Sequence, residues 1–294
     1  MIDKIILGTV QLGTIYGLSK NKPTTDESFQ ILNTAYNSNI FTYDTAQQYG
    51  NSENLLSFIS NEPNVQIITK IDFTDILLTP FYFLNKKNVI KKINISLQNL
   101  KLKKIDILLL HNYQDFKNKI ILNILFDLCQ ENLINRIGVS IYTIDEALYI
   151  LEDSRIKVLQ IPFNFLDKQW NNSIFQEKIK KNNIEIHARS IFLQGILINN
   201  YNTWPILNTT TKNIYDTINK LCEHFQLSNI EFCIKYVLSI NYINKIIFGI
   251  NNLHQLKYNI MLFNNITIFT EEELDYINSK FTNIPDKLIN PSLW

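Results

Sequence analysis

Eight short apolar runs recur along the chain, and their spacing constrains the fold more than any other feature. They are Ile5 to Thr9, Phe41 to Thr45, Gln66 to Lys70, Ile105 to His111, Arg136 to Ser140, Lys157 to Pro162, Ile184 to Ala188 and Lys245 to Gly249. Rich in Ile, Leu and Val and mostly not alternating with polar residues, they suit parallel strands buried on both faces. Between them lie amphipathic stretches with helix-start signals. Thr24 with Glu27, Thr143 with Glu146 and Ser228 with Glu231 each fit a capping box. Eight strand and helix alternations predict an α/β fold, the (β/α)8 TIM barrel. No Pro/Ser-rich linker, charge block or repeat divides the 294 residues. The chain therefore reads as one domain, with a C-terminal tail, 281–294, near the pocket.

Composition narrows the function. Hydrophobic residues at 46% supply a large core, and a net charge of +1 lacks the basic excess of a nucleic-acid binder. Glycine is scarce, 7 residues in all, where about 7% is average. Neither GxGxxG nor GxxxxGK[ST] occurs, which excludes a Rossmann dinucleotide site and a P-loop. The N-terminal MIDKIILGTVQLG has no basic n-region and no apolar run reaches the ~18 residues of a membrane span, so neither a signal peptide nor a membrane partner is expected. The cysteines, Cys129, Cys222 and Cys233, are odd in number and sit in apolar helical contexts, as reduced thiols of a cytoplasmic protein would. None of the four histidines is paired at ligand spacing, so no metal is expected.

In such a barrel, chemistry sits at the C-terminal ends of the strands. The polar residues closing the runs are Asp44, Lys70, His111, Ser140 and Gln160, with Asn164 just beyond, then Arg189 with Ser190. Asp44 lies in YDTAQQYG, five residues before Tyr49, so a carboxylate at a strand tip and a phenol in the following loop can reach one pocket. A lysine ending an apolar strand is costly unless paired, and Asp44 is the nearest expected carboxylate. A free phenol, with a pKa near 10, is a poor acid at neutral pH, and an adjacent ammonium favours its phenolate. Each residue alone has a bland reading: a solvated cap, a structural histidine, a surface tyrosine, a helix cap. Their conjunction, in the order Asp, Tyr, Lys, His on successive strands, points to proton transfer and makes chemical sense for carbonyl reduction, with His111 orienting the carbonyl.

These residues, and the DTAxxYGxSE-like stretch from Asp44 to Glu53, resemble the aldo-keto reductases. The resemblance runs from about Gly8 to Asn259. It implies a barrel that binds a nicotinamide dinucleotide without a Rossmann motif, NADPH by default with NADH as the other candidate, and passes hydride between the nicotinamide and a carbonyl carbon. It makes Tyr49 the general acid, tuned by Lys70 and Asp44, with His111 positioning the substrate. Ser140 and Gln160 match positions that hydrogen-bond the carboxamide, while Ile141 stands where an Asn is frequent. Ser190, Phe192, Gln194 and Gly195, in ARSIFLQG, resemble the pyrophosphate loop. Arg189 stands where many relatives place a stacking aromatic; it is counted with the cofactor contacts and read as an anion contact, to cofactor or substrate, against a structural salt bridge. Gly249, which ends the last strand, is counted with the cofactor contacts. Asn251, Gln255 and Asn259 are the adenosine-side candidates, Gln255 standing where NADPH-preferring relatives often carry Arg, and Asn252 is the helix cap.

On the substrate side, Gln11, Tyr16, Tyr113, Trp170, Trp204 and Trp294 are expected to line the mouth, a mixed aromatic and polar set that suits a sugar or polar keto compound. LGTVQLGTIYGLS together with RSIFLQG is similar to a bacterial branch linked to surface-polysaccharide and activated-sugar biosynthesis. The family resemblance also implies a monomer acting on a small-molecule carbonyl substrate. Two other readings stand beside it: a cofactor-binding regulatory barrel without turnover, and a lyase or isomerase using Lys70 as a Schiff-base amine.

Overall fold

The computed structural model describes residues 1–17, 22–290 and 293–294. Eight parallel strands close into a barrel in chain order: β1 (Ile5–Gly8), β2 (Thr42–Asp44), β3 (Gln66–Ile71), β4 (Ile105–Leu110), β5 (Ile134–Ser140), β6 (Val158–Pro162), β7 (Glu185–Arg189) and β8 (Lys245–Gly249). β8 pairs with β1, Gly249 beside Gly8. Every expected run is a strand, its ends matching to within two residues.

The helices are α1 (Val10–Gly13), α2 (Thr25–Asn37), α3 (Ser52–Leu56), α4 (Tyr82–Leu100), α5 (Tyr113–Lys117), α6 (Lys119–Gln130), α7 (Ile144–Ile150), α8 (Ser173–Asn182), α9 (Thr209–Phe225), α10 (Asn229–Leu238), α11 (Leu253–Asn265), α12 (Glu271–Ser279) and α13 (Asp286–Ile289). Thr143 and Ser228 close complete capping boxes with Glu146 and Glu231. Thr24 makes only half of one. Its side chain accepts from the Glu27 amide, while the Glu27 carboxylate accepts from the Leu253 amide at 3.4 Å and ties α2 to the start of α11.

Strand periodicity explains what the barrel holds. Alternate residues point to opposite faces. Ile6, Ile68, Ile107, Leu109, Val158 and Ile247 form a small buried cluster inside the barrel, separate from the larger core between strands and helices. Counting in twos from these residues toward the C-terminal ends gives Gly8, Lys70, His111, Gln160 and Gly249; register pairs Asp44 with Gly8. The inward positions thus run from an apolar plug to a polar rim. Gly138 lets the plug close, because a Cβ there would lie 2.4 Å from the Val158 carbonyl oxygen and 2.6 Å from a Leu109 methyl. Among the described residues, no helix is long and apolar enough to cross a membrane, and no three His, Cys, Asp or Glu side chains cluster as metal ligands would.

Candidate active site

Tyr49 reaches the barrel mouth on a loop whose backbone is fixed from below. After Asp44 the chain keeps pairing with β3, the Thr45 and Gln47 amides donating to the Ile68 and Lys70 carbonyls. It then turns, with the Tyr49 amide donating to the Ala46 carbonyl at 3.0 Å. A buried hydroxyl cluster, Thr9, Thr45 and Ser52, binds this loop to β1: the Thr9 hydroxyl donates to the Asp44 carbonyl at 2.9 Å, and the Thr45 hydroxyl to Ser52 Oγ at 3.0 Å. Two glycines complete the dock. A Cβ on Gly13 would lie 1.7 Å from the Tyr49 carbonyl oxygen, and one on Gly50, whose φ is +56°, 2.5 Å from that of Gly13. Only residues without a side chain permit this approach.

Lys70 is buried beneath Tyr49. Its Nζ donates to Asp44 Oδ2 at 2.6 Å and to the Thr45 carbonyl at 3.0 Å, and lies 4.8 Å from the centre of the Tyr49 ring. Gln160 Nε2 donates to the other Asp44 oxygen at 2.8 Å. Burial alone would push the Lys70 ammonium down, but the Asp44 carboxylate and neighbouring Tyr49 outweigh it and hold the group above its ordinary value. The ammonium stays charged, which leaves the Schiff-base reading without a free amine. His111 stands edge-on to Tyr49, ring centres 5.9 Å apart. Burial, then the Lys70 charge, push its imidazole down to about 4, so the ring is neutral at pH 7. Asp44, Tyr49, Lys70 and His111 are thus gathered at one point by β2, its loop, β3 and the end of β4.

From this point a cleft of about 720 Å³ runs between the β7 loop and the start of α11. Asp44, Tyr49 and Gln160 form one part of its wall, Arg189, Ser190, Phe192, Gln194 and Gly195 a second, and Gly249, Asn251, Gln255 and Asn259 a third. The β7 loop is unusual: Ser190, Leu193 and Gln194 have φ of 60°, 47° and 54°, with Gly195 at 102°. Three side-chain-bearing residues in the left-handed region within one loop are a strained arrangement, of the kind that clusters at ligand clamps. At the far end, Asn252 caps α11 by accepting from the Gln255 backbone amide, while the Gln255 side-chain Oε1 accepts from the Asn251 amide at 2.7 Å. The Gln255 acceptor is therefore spent within the protein. The space a Cβ on Gly249 would fill is taken by the Gln11 carboxamide.

Several substrate-side expectations are corrected. Trp170 is fully buried, its Nε1 donating to Asp167 Oδ2 at 3.2 Å. Trp204 is buried against Tyr201 and Tyr215. Tyr113 turns toward Tyr149 and lies near Lys117. Trp294 donates from Nε1 to the Lys287 carbonyl. None of the four is on the cleft wall; for Trp170 and Trp204 the reason is that large rings gain more from packing than from exposure at a rim. Ser140 is buried beside Gln160 in register and also lies off the wall. Arg189 makes no salt bridge among the described residues, contrary to the structural reading. Gln11 and Tyr16 do line the cleft. Thr9, Thr203, His254 and Tyr258 line it without having been expected. Of the tail, Phe281 and Leu293 face a neighbouring cavity, while Pro291 and Ser292 lie outside the described residues, as do Leu18 and Ser19 of the opening stretch.

The cleft fits a ligand rich in hydrogen-bonding groups. Gln11 Oε1, Gln160 Oε1, His111 Nδ1 and Asn251 Oδ1 are buried with no partner, and such orphans are rare unless a ligand or water completes them. A barrel with a charged lysine and carboxylate under a tyrosine, beside a neutral histidine and a long cleft, defines a barrel oxidoreductase. The chain belongs to the aldo/keto reductase family, whose sequence pattern matches residues 4–281, past both ends of the stretch recognised from motifs. Solved structures agree on the fold. An aldo-keto reductase from Bacillus halodurans in its holo form is 18% identical with a TM-score of 0.76, over 98% of this chain and 95% of that one. The glycerol dehydrogenase of Gluconobacter oxydans is 20% identical with a TM-score of 0.74, over 96% and 93%. No curated protein sequence gives a significant match.

Proposed function

We propose that this chain reduces an aldehyde or ketone with NADPH or NADH, that Tyr49 supplies the proton, and that the substrate is a keto sugar, free or nucleotide-linked. The observation that carries this reading is the Lys70 ammonium, held 2.6 Å from Asp44 and 4.8 Å from the Tyr49 ring at the head of a cleft with unpartnered polar atoms. Reduced nicotinamide, when bound, supplies the hydride for the carbonyl carbon. Tyr49 gives its phenolic proton to the carbonyl oxygen as the alcohol forms, and regains one from solvent. The fixed positive charge of Lys70 stabilises the phenolate in the interval, and it costs no reorganisation because Asp44 and the Thr45 carbonyl already hold it. His111, neutral, offers a ring N–H to the same oxygen and sets its position.

The chain's cofactor contacts follow the cleft. Gln160, with its free Oε1, would hold the carboxamide, the turn from Ser190 through Phe192 to Gly195 the pyrophosphate, and Asn251 and Asn259 the adenosine end. Among the described residues, no Lys or Arg stands on the wall at the α11 end. NADPH is the family's usual cofactor; this uncharged end supports NADH as the second candidate. Gln11, Tyr16 and Gln194 give a polar wall in keeping with a sugar. Fluorescence titration with each reduced dinucleotide, followed by loss of absorbance on adding a panel of aldehydes and keto sugars, tests the proposal. Binding with turnover is expected; binding with no turnover across the panel contradicts it.

A further inference from the structure

A second cavity of about 760 Å³ adjoins the cleft, and the two share Tyr16, Arg189, Ser190 and Gln194. Arg189 stands at this junction. Its guanidinium carbon lies 4.4 Å from the Tyr142 ring centre, and one N–H donates to the Ile141 carbonyl at 3.0 Å. Tyr142 faces the second cavity and not the cleft, so the charged head turns toward the second cavity while its strand end belongs to the first. No carboxylate pairs with it among the described residues.

A guanidinium has five N–H donors in a planar fork that matches carboxylate and phosphate oxygens. One carbonyl and one ring face leave most of that capacity unspent. The other charged groups nearby lie away from this junction. Lys70 is paired with Asp44, and His111 is neutral. In the second cavity, Lys168 donates to Asn278, Asp167 accepts from Gln169 and Trp170, and Asp286 is exposed at the rim. Among the described residues Arg189 is therefore the cation without a carboxylate at the junction of the two cavities, and its field opposes the burial that raises the Tyr16 phenol and adds to the burial that lowers the His111 imidazole.

We propose that Arg189 receives an anionic group of the substrate: the carbonyl compound carries a carboxylate or a phosphate, which docks at the junction while the rest of the molecule extends into the second cavity. This rests on the reductase reading and names the substrate class for it. Of the two anion contacts open to Arg189 from the sequence, cofactor or substrate, it takes the substrate.

The test is calorimetric binding of benzoate, phenyl phosphate and benzamide to the wild-type protein and to Arg189→Gln, with and without NADP⁺. A charged hydrogen-bonded contact corresponds to about tenfold or more in affinity. At least one anion is expected to bind wild type that much more tightly than benzamide, and the stronger of the two tells carboxylate from phosphate. Arg189→Gln should erase the preference while NADP⁺ affinity stays within about twofold, and should raise KM for 4-carboxybenzaldehyde, but not for benzaldehyde, with kcat little changed. Equal binding of all three probes overturns the proposal. So does a loss of NADP⁺ affinity in Arg189→Gln as large as the loss of anion affinity, which would place the guanidinium on the cofactor. An anion preference that depends on Arg189 in a protein that reduces no aldehyde would uphold this site and contradict the reductase reading.

Discussion

The two ends of the barrel both hold paired charge, partly exposed at the N-terminal end and buried at the C-terminal end, and they hold it differently. At the N-terminal end, Arg136 on β5 and His187 on β7 both bond the Glu185 carboxylate. Burial would raise the Glu185 carboxyl, but the His187 and Arg136 contacts outweigh it and bring it down to about 2. Apart from His187 Nδ1, that set is closed. At the C-terminal end, Lys70 and Asp44 are equally well paired, yet the groups around them end in unpartnered atoms: Gln160 Oε1, His111 Nδ1 and Gln11 Oε1. The lower cluster spends its polar capacity inside the protein. The upper one keeps some in reserve for a ligand, which is how stability and chemistry divide between the ends of this fold.

Replacing Lys70 by Met should have the largest effect. It strips the charge from beside Tyr49 and leaves Asp44 buried and unpaired, so turnover should fall by about 10²-fold or more, and urea unfolding should show a loss of about 3–5 kcal/mol. Gly13→Ala should come next. The added methyl must displace the Tyr49 carbonyl, and a shift near 1 Å in a catalytic group costs up to about 10²-fold in kcat; steady-state kinetics reads it, and normal activity would show that the dock does not set Tyr49. Glu185→Gln is the reciprocal test at the closed end. Arg136 is partly exposed, so screening limits the loss to about 1–2 kcal/mol, with turnover unchanged; an equal loss of activity would break the division between the ends. Because the folded Glu185 pKa lies below its unfolded value, its contribution is fully present above about pH 4.5 and lost as pH falls toward 2, so wild type and variant should converge in acid.

At the open end a change of pH, without substitution, tests His111. Its folded pKa, about 4, is below the ordinary 6.5, so between these values the unfolded chain binds the proton that the folded one refuses. Stability should therefore fall as pH drops from 6.5 toward 4, by no more than about 3 kcal/mol. An NMR titration should show His111 unprotonated from pH 8 to 5.

How much of this was legible in the sequence follows from what kind of interaction each feature uses. The strands are legible because burial on both faces leaves an unbroken apolar run, as in Ile105 to Leu110. The tetrad is legible because a charge such as Lys70 at the end of such a run demands a partner. Glycine scarcity was informative too, since Gly13 and Gly50 prove to fix the tyrosine loop. The left-handed Ser190, Leu193 and Gln194 leave no such trace, because nothing in those residue types announces positive φ. Nor does the second cavity, whose walls come from Tyr142, Asp167 and Phe281, brought together only by tertiary folding. The tryptophans misled for a related reason: an indole is read as a rim residue or a core residue only by its neighbours, and Trp170 finds its partner in Asp167.

The most direct test of the account is Tyr49→Phe, which removes one oxygen and leaves the ring between Lys70 and His111. Reduced-dinucleotide affinity should be unchanged while single-turnover reduction of an aldehyde falls by about 10²-fold or more. Turnover at the wild-type rate would contradict Tyr49 as the acid, and with it the reading of the barrel mouth.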